Sequence, residues 1–200
     1  DTNPNGTAAT SAYYRLAYKI KDILTICYPQ FYNSGGMIGY NGFNAQVGTA
    51  DFLTSLATLL LENGLRADQV ALGLPSTAKA AGSGYVSTDV INTAVKALVN
   101  GTSSGSFTAP RAYQSFRGVM TWSINWDSSQ NNNSFAKENG AFLASLRNNQ
   151  EETKKPETTT EEPTTKAPET TTEQPTTKAP ETTTEEPTTK APETTQEPGQ

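Results

Sequence analysis

Three short runs dense in aliphatic, β-branched and aromatic residues constrain this chain most: ILTICYPQFYN (Ile23 to Asn33), VALGLPS (Val70 to Ser76) and GVMTWSINW (Gly118 to Trp126). Amphipathic helix patterns separate them. Thr10/Ser11 can cap a helix with Tyr13, Leu16, Ala17 and Ile20 on one face, and Thr49 one with Phe52, Leu56, Leu59 and Leu60, closed by Gly64. Ser87/Thr88 open a third, with Ile91, Ala94, Val95 and Leu98, stopped at Asn100-Gly101. Ser134 opens a last one with Phe135, Phe142, Leu143 and Leu146. Apolar strands alternating with helices predict an α/β fold on a parallel sheet buried on both faces.

Two architectures meet that pattern, a doubly wound sheet and a (β/α)8 barrel. Three strands are few for either, since a barrel takes about 250 residues. The pattern therefore predicts a small α/β domain or the last part of a larger one.

Residues 151–200 cannot extend that core. Their only apolar side chains are Ala167, Ala179 and Ala191, set among 12 Glu, 5 Lys and 8 of the 12 prolines. Prolines at 156, 168, 180 and 192 mark a twelve-residue repeat close to KAPETTTEEPTT. Proline and threonine favour extended chain, and the glutamates repel one another. The expected boundaries are a folded part over 1–147 and a disordered Thr/Pro/Glu-rich linker over 148–200, of a kind that joins modules of secreted enzymes and carries O-linked sugars.

Several chemistries are excluded outright. With no histidine there is no Ser-His-Asp or Cys-His catalysis and no histidine-bound zinc. One cysteine, Cys27, excludes an intramolecular disulfide and any multi-cysteine metal site; it reads as a small buried hydrophobe. No metal or cofactor is expected. No apolar run is long enough to span a membrane, and no Lys/Arg cluster makes a case for nucleic acid. The chain has no initiator Met and no leader pattern, so Asp1 reads as a cut or mature end. The GxG in Ala81–Tyr85 follows no strand directly and is a poor dinucleotide loop. Asn5, Asn100 and Asn132 stand in glycosylation sequons that matter only in a glycosylating host.

Alternation along the first run puts Leu24, Ile26, Tyr28, Gln30 and Tyr32 on one face, with Gln30 and Tyr32 at the C-terminal end, where parallel α/β folds place their sites. They are either site residues or polar groups satisfied by backbone at a strand end. On the third run Gly118, Met120 and Trp122 share a face, and Trp122 is either core or a flat platform for a sugar ring. Trp126 is rim packing or a further sugar contact. Asp127 is the one carboxylate expected at that mouth, where glycoside hydrolysis usually needs two. Asp1 is a conceivable second.

The motifs PQFYNSGG (Pro29 to Gly36), VALGLPSTAKAAGSGYVS (Val70 to Ser87) and FRGVMTWSINWD (Phe116 to Asp127) resemble, in this order, the last third of glycoside hydrolase family 18 chitinases, in particular the bacterial chitinase D and plant hevamine types. The resemblance covers about residues 1–147. It implies the C-terminal part of a (β/α)8 barrel, with these runs as strands six to eight. It also implies a retaining hydrolysis in which the substrate's own N-acetyl oxygen attacks the anomeric carbon, so that one protein acid suffices. By position, Tyr32 would hydrogen-bond the reacting N-acetyl carbonyl. Gln30 and Asn33 would hold the same sugar or its neighbours, and Trp122 would floor the reacting sugar. A non-proline cis peptide between Trp122 and Ser123 is a further implication.

The family's D-x-x-D-x-D-x-E signature, whose last Glu is the proton donor, has no counterpart here. The expectation is therefore a parent protein that hydrolyses chitin or N-acetylglucosamine oligosaccharides, secreted or held at the cell surface, and a 200-residue piece that is itself inactive and poorly soluble. Its linker would lead to a further module or a surface anchor. Other readings are an endo-acting relative that cuts N-glycan cores, a glycan-binding lectin on the same barrel, and an unrelated small α/β domain.

Overall fold

The computed structural model describes residues 12–154. The expected cap at Thr10/Ser11 and residues 155–200 of the repeat lie outside them. The elements are α1 (Ala12–Lys19), β1 (Met37–Ile38), β2 (Asn44–Ala45), α2 (Ala50–Glu62), β3 (Ala71–Pro75), α3 (Thr88–Asn100), β4 (Gly118–Trp122), α4 (Ile124–Asn131) and α5 (Ser134–Lys154), with single 3-10 turns at Tyr40–Gly42 and Ala67–Gln69. Helix α5 runs past residue 147, into the stretch expected to be linker.

Strands β3 and β4 pair in parallel, from Ala71 opposite Gly118 to Pro75 opposite Trp122. The connection between them carries α3, as a parallel crossover requires. The first apolar run is not the continuous strand that its composition predicts. It makes two parallel bridges, Cys27 to Val70 just before β3 and Gln30 to Gly73 within it. Pro29 sits between them and has no N–H to donate, so only its carbonyl joins, accepting from Gly73 N at 3.1 Å. Phe31 N–H then donates to Gly73 O at 3.0 Å. Gly73 is required here: a Cβ on it would stand 2.5 Å from the Pro29 carbonyl oxygen.

The third run also ends early. The strand stops at Trp122, and residues expected to continue it to Trp126 turn into α4, with Ser123 at its N-cap and Asp127 N–H donating to Ser123 O at 3.0 Å. Pro75 is the last rung of β3, so nothing remains for residues 123–126 to pair with.

One face of this sheet is dry. Leu72 and Leu74 are fully buried and Phe31 is 2% exposed, packed with Phe52, Leu53, Ile91, Val95 and Leu98 of α2 and α3. Burying each such side chain contributes about 1.5–3 kcal/mol. Helix α2 buries a different and wider face than the expected stripe: Phe52 is fully buried but Leu56, Leu59 and Leu60 only half, while Leu53, Thr54, Ser55, Ala57, Thr58 and Leu61 are buried, because α3, β3 and the β1–β2 hairpin all pack around it. Thr49 caps it, accepting Phe52 N–H at 3.1 Å. Helix α3 buries the predicted Ile91, Ala94, Val95 and Leu98, and Gly101 ends it with φ of 68°.

Helix α1 turns a different face inward than its sequence predicts. Tyr14 is buried, its hydroxyl donating to Asn63 O, and Tyr18 lies against Gly64, while Tyr13 is 89% exposed. Burial, then the neighbouring Tyr18, pushes the Tyr14 phenol up to about 12. Leu16 and Ile23 are exposed as well, Ile23 at 82%.

Candidate functional site

Gln30 is level with Gly73 and Met120, and two residues on Pro75 is level with Trp122, at the C-terminal end of the parallel segments; the first segment bends away at Tyr32. Partners in a parallel register share a face, so Gln30, Met120 and Trp122 belong to the face opposite the packed one. Trp122 is 54% exposed in this chain, and Gln30 is exposed as well. Trp126 is half-buried in α4.

Each residue is held by local chemistry. Gln30 donates its Nε2 amide to Tyr32 O at 2.9 Å, which leaves its Oε1 unclaimed by that bond. Tyr32 is buried. Asn33 takes the left-handed conformation, φ 55°, which Asn tolerates best after Gly. Its Oδ1 accepts from Gly82 N at 2.7 Å and Ser83 N at 3.3 Å, and its own N–H donates to Ser83 O at 3.2 Å.

Ser76 ties β3 to the Trp122–Ser123 peptide. Its N–H donates to Trp122 O at 3.0 Å and its Oγ donates to Ser123 O at 3.2 Å. The Trp122–Ser123 bond is cis, as the resemblance implied. The sequence gives Ser76 no signal of this role, and it offers the 82–84 loop only as a poor dinucleotide loop. The signal for the loop was there, in the glycines of Ala81–Tyr85, but it marks a close backbone approach and not a phosphate cradle.

The expected mouth carboxylate is placed elsewhere. Asp127 has no solvent exposure: Oδ1 accepts from Phe135 N at 3.0 Å and Asn131 Nδ2 at 3.2 Å, and Oδ2 from Ala136 N at 3.0 Å. It fixes the start of α5. Asp51 and Glu62 are structural too. Burial pulls the Asp51 carboxyl up, but hydrogen bonds from Ser104, Ser106 and Phe107 outweigh it and hold it below the ordinary range. For Glu62, burial is likewise outweighed by Arg111 and Tyr113. Burial pushes the Cys27 thiol up, away from reactivity.

A cavity of about 290 Å³ opens behind Ser76 and Tyr85, where Thr88 donates to Glu138 Oε2 at 2.5 Å. A larger one, about 780 Å³, lies at the other end of the strands among Leu61–Ala67 and Arg111–Ser115; its cations are paired, Arg66 with Asp68 at 3.0 Å and Arg111 with Glu62 at 2.7 Å. Neither coincides with the Gln30–Trp122 face. Among the described residues, no three metal-ligating side chains come together, and no helix is long and apolar enough to cross a membrane.

No protein-family model matches the chain. Known proteins do. Chitinase D of Niallia circulans is 37% identical over 150 residues, 68% of this chain and 28% of that protein. Among solved structures, a Streptomyces coelicolor protein assigned as Chitinase A superposes with a TM-score of 0.66 at 44% identity, covering 69% of this chain and 47% of that one. The family GH18 chitinase of Chromobacterium violaceum gives 0.62 at 36% identity, with 68% and 39% covered. The chain thus spans less than half the length of each. Over about two thirds of its own length, in sequence and in backbone, this chain is related to the glycoside hydrolase family 18 chitinases.

Proposed function

We propose that this chain is the C-terminal part of a secreted or cell-surface (β/α)8 chitinase, its three parallel segments being strands six to eight. The observation that carries the reading is that Gln30 and Trp122 stand exposed on one face of the paired parallel segments, with Tyr32 two residues beyond Gln30 in the chain. The apolar side chains left exposed at the edges, Tyr13, Leu16, Ile23 and Ile124, support it, since further strands and helices of a barrel would cover them.

In this reading the substrate is a β-1,4-linked N-acetylglucosamine polymer. The Trp122 indole lies under the reacting sugar and orients its N-acetyl group toward the anomeric carbon. The Tyr32 hydroxyl donates to the N-acetyl carbonyl as that oxygen attacks, which favours the charge developing on the resulting oxazolinium ring. Gln30, through Oε1, and Asn33, through Nδ2, hold hydroxyl and amide groups of the same sugar or its neighbour. The glycosidic oxygen is protonated by an upstream carboxylic acid that these 200 residues do not supply. That division of labour explains how a mouth without an available Asp127 still belongs to a glycosidase. The Thr/Pro/Glu repeat links this domain to a further module or an anchor.

The test is turnover of N-acetylglucosamine oligomers, with the anomer of the first product followed by NMR. The full-length protein should release the β-anomer and the present 200 residues alone should show no turnover. Binding without turnover by the full-length protein would make it a lectin, and turnover by this piece alone would refute the assignment of the acid.

A further inference from the structure

We infer that Gly84 and Asn33 form a latch that positions Tyr32, so that the loop after β3 is part of what makes the site work. The inference rests on the role given to Tyr32 above.

The backbone argument starts from where β3 stops helping. The last hydrogen bond from the first segment to β3 is Phe31 N–H to Gly73 O, one residue before Tyr32. From there the chain is held by the loop instead. Asn33 N–H donates to Ser83 O, Gly82 and Ser83 N–H both donate to Asn33 Oδ1, and the Ser83 hydroxyl donates to Ser34 O at 3.4 Å. Gly84 then lies directly on Tyr32. A Cβ at residue 84 would stand 2.6 Å from Tyr32 Cα, 2.8 Å from Tyr32 Cβ and 3.0 Å from Phe31 O, mostly backbone or backbone-fixed atoms that cannot swing aside. Gly84 also has φ of 87°, which penalises any side chain.

Tyr32 is therefore clamped from two directions, by Gly84 over its Cα and by Asn33 through the next peptide. Neither Gly84 nor the Asn33 Oδ1 needs to touch a sugar to matter. A shift of the Tyr32 backbone is carried to its hydroxyl, and a misplacement of about 1 Å at a reacting group costs about a hundredfold in rate.

A double-mutant cycle in the full-length protein tests this, read on 4-nitrophenyl-linked N-acetylglucosamine oligomers. Gly84→Ala should lower kcat about tenfold or more while KM moves less than about threefold. In a Tyr32→Phe background the same change should cost less than about twofold, because the hydroxyl it misplaces is already gone. Losses that simply multiply overturn the latch. Full activity in Tyr32→Phe alone overturns the role of Tyr32, and the latch with it.

Should Gly84→Ala not fold, Gly82 supplies a second comparison. Gly82→Pro removes the N–H that donates to Asn33 Oδ1 at 2.7 Å and should lower kcat about tenfold; Gly82→Ala keeps that N–H, its Cβ meeting nothing nearer than 3.4 Å, and should hold kcat within about threefold of the parent. Equal kcat in the two variants overturns the latch.

Discussion

The Asp127 carboxylate accepts the Phe135 N–H at 3.0 Å, eight residues along the chain, from a position with no access to water. This bond and its companion to Ala136 join α4 to the start of α5, and Asn131 Nδ2 extends the connection to Ser76 O at 3.3 Å. A residue whose place in the sequence marks it for catalysis thus serves as a helix cap.

Asp127→Ala should therefore lower stability by about 2–3 kcal/mol, through the lost cap and the buried N–H groups left unpaired. Asp127→Asn, which keeps one acceptor oxygen, should cost about half as much. Chemical denaturation of the full-length protein gives both values. Turnover per folded molecule should stay within about twofold; a loss of about a hundredfold without loss of stability would return Asp127 to the site.

Trp122→Ala should act the other way round. With more than half of the residue exposed in this chain, truncation should change stability by less than about 1 kcal/mol. Affinity for N-acetylglucosamine oligomers should fall about ten- to a hundredfold, the scale expected for losing an aromatic platform. Isothermal titration separates the two effects.

Gly73→Ala should destabilise by about 1–3 kcal/mol, because the new methyl group would meet the Pro29 carbonyl and push the first segment off β3. Amide exchange at Phe31 should speed up, since its bond to Gly73 O is the next to open.

The pH response follows from Asp51 and Glu62. Both hold their protons less tightly in the folded protein than in the unfolded chain, so the stability they contribute is fully present above their ordinary values of 3.8 and 4.5. It drains away as pH falls through the lowered folded values. Asp51→Asn should flatten the fall of the thermal midpoint below about pH 3.8, and leave the midpoint at pH 7 lower than in the parent because a charged acceptor for Ser106 and Phe107 is gone.

What could be read in advance divides along a physical line. Helices α2 and α3 carried their own caps and terminators in Thr49, Gly64 and Gly101, and these local signals placed them closely. The stripe on α1 misled, since Tyr13 and Leu16 mark a face that this chain leaves open, while the packed face uses Tyr14 and Tyr18 against Asn63 and Gly64, distant in sequence. Likewise Gln30, Tyr32 and Trp122 were singled out by alternation and motif. The fate of Asp127 was not, because its partners Phe135 and Ala136 exist only once the chain has turned back through α4. Glycines were the most under-read residues: Gly73 and Gly84 each record a close approach to backbone some fifty residues earlier.

Cys27 meets Val70, and Ala71 meets Gly118, so neighbouring strand segments are separated by 43 and 47 residues of chain. The entropy lost on closing a loop grows only with the logarithm of its length, so the two closures are nearly equal obstacles. Neither is local, and each connection holds one helix that can form on its own stretch of chain. Folding of this region is then expected to be paced by two similar, slow meetings of strands after α2 and α3 have begun to form, which sets its speed by topology and not by the strength of any single contact.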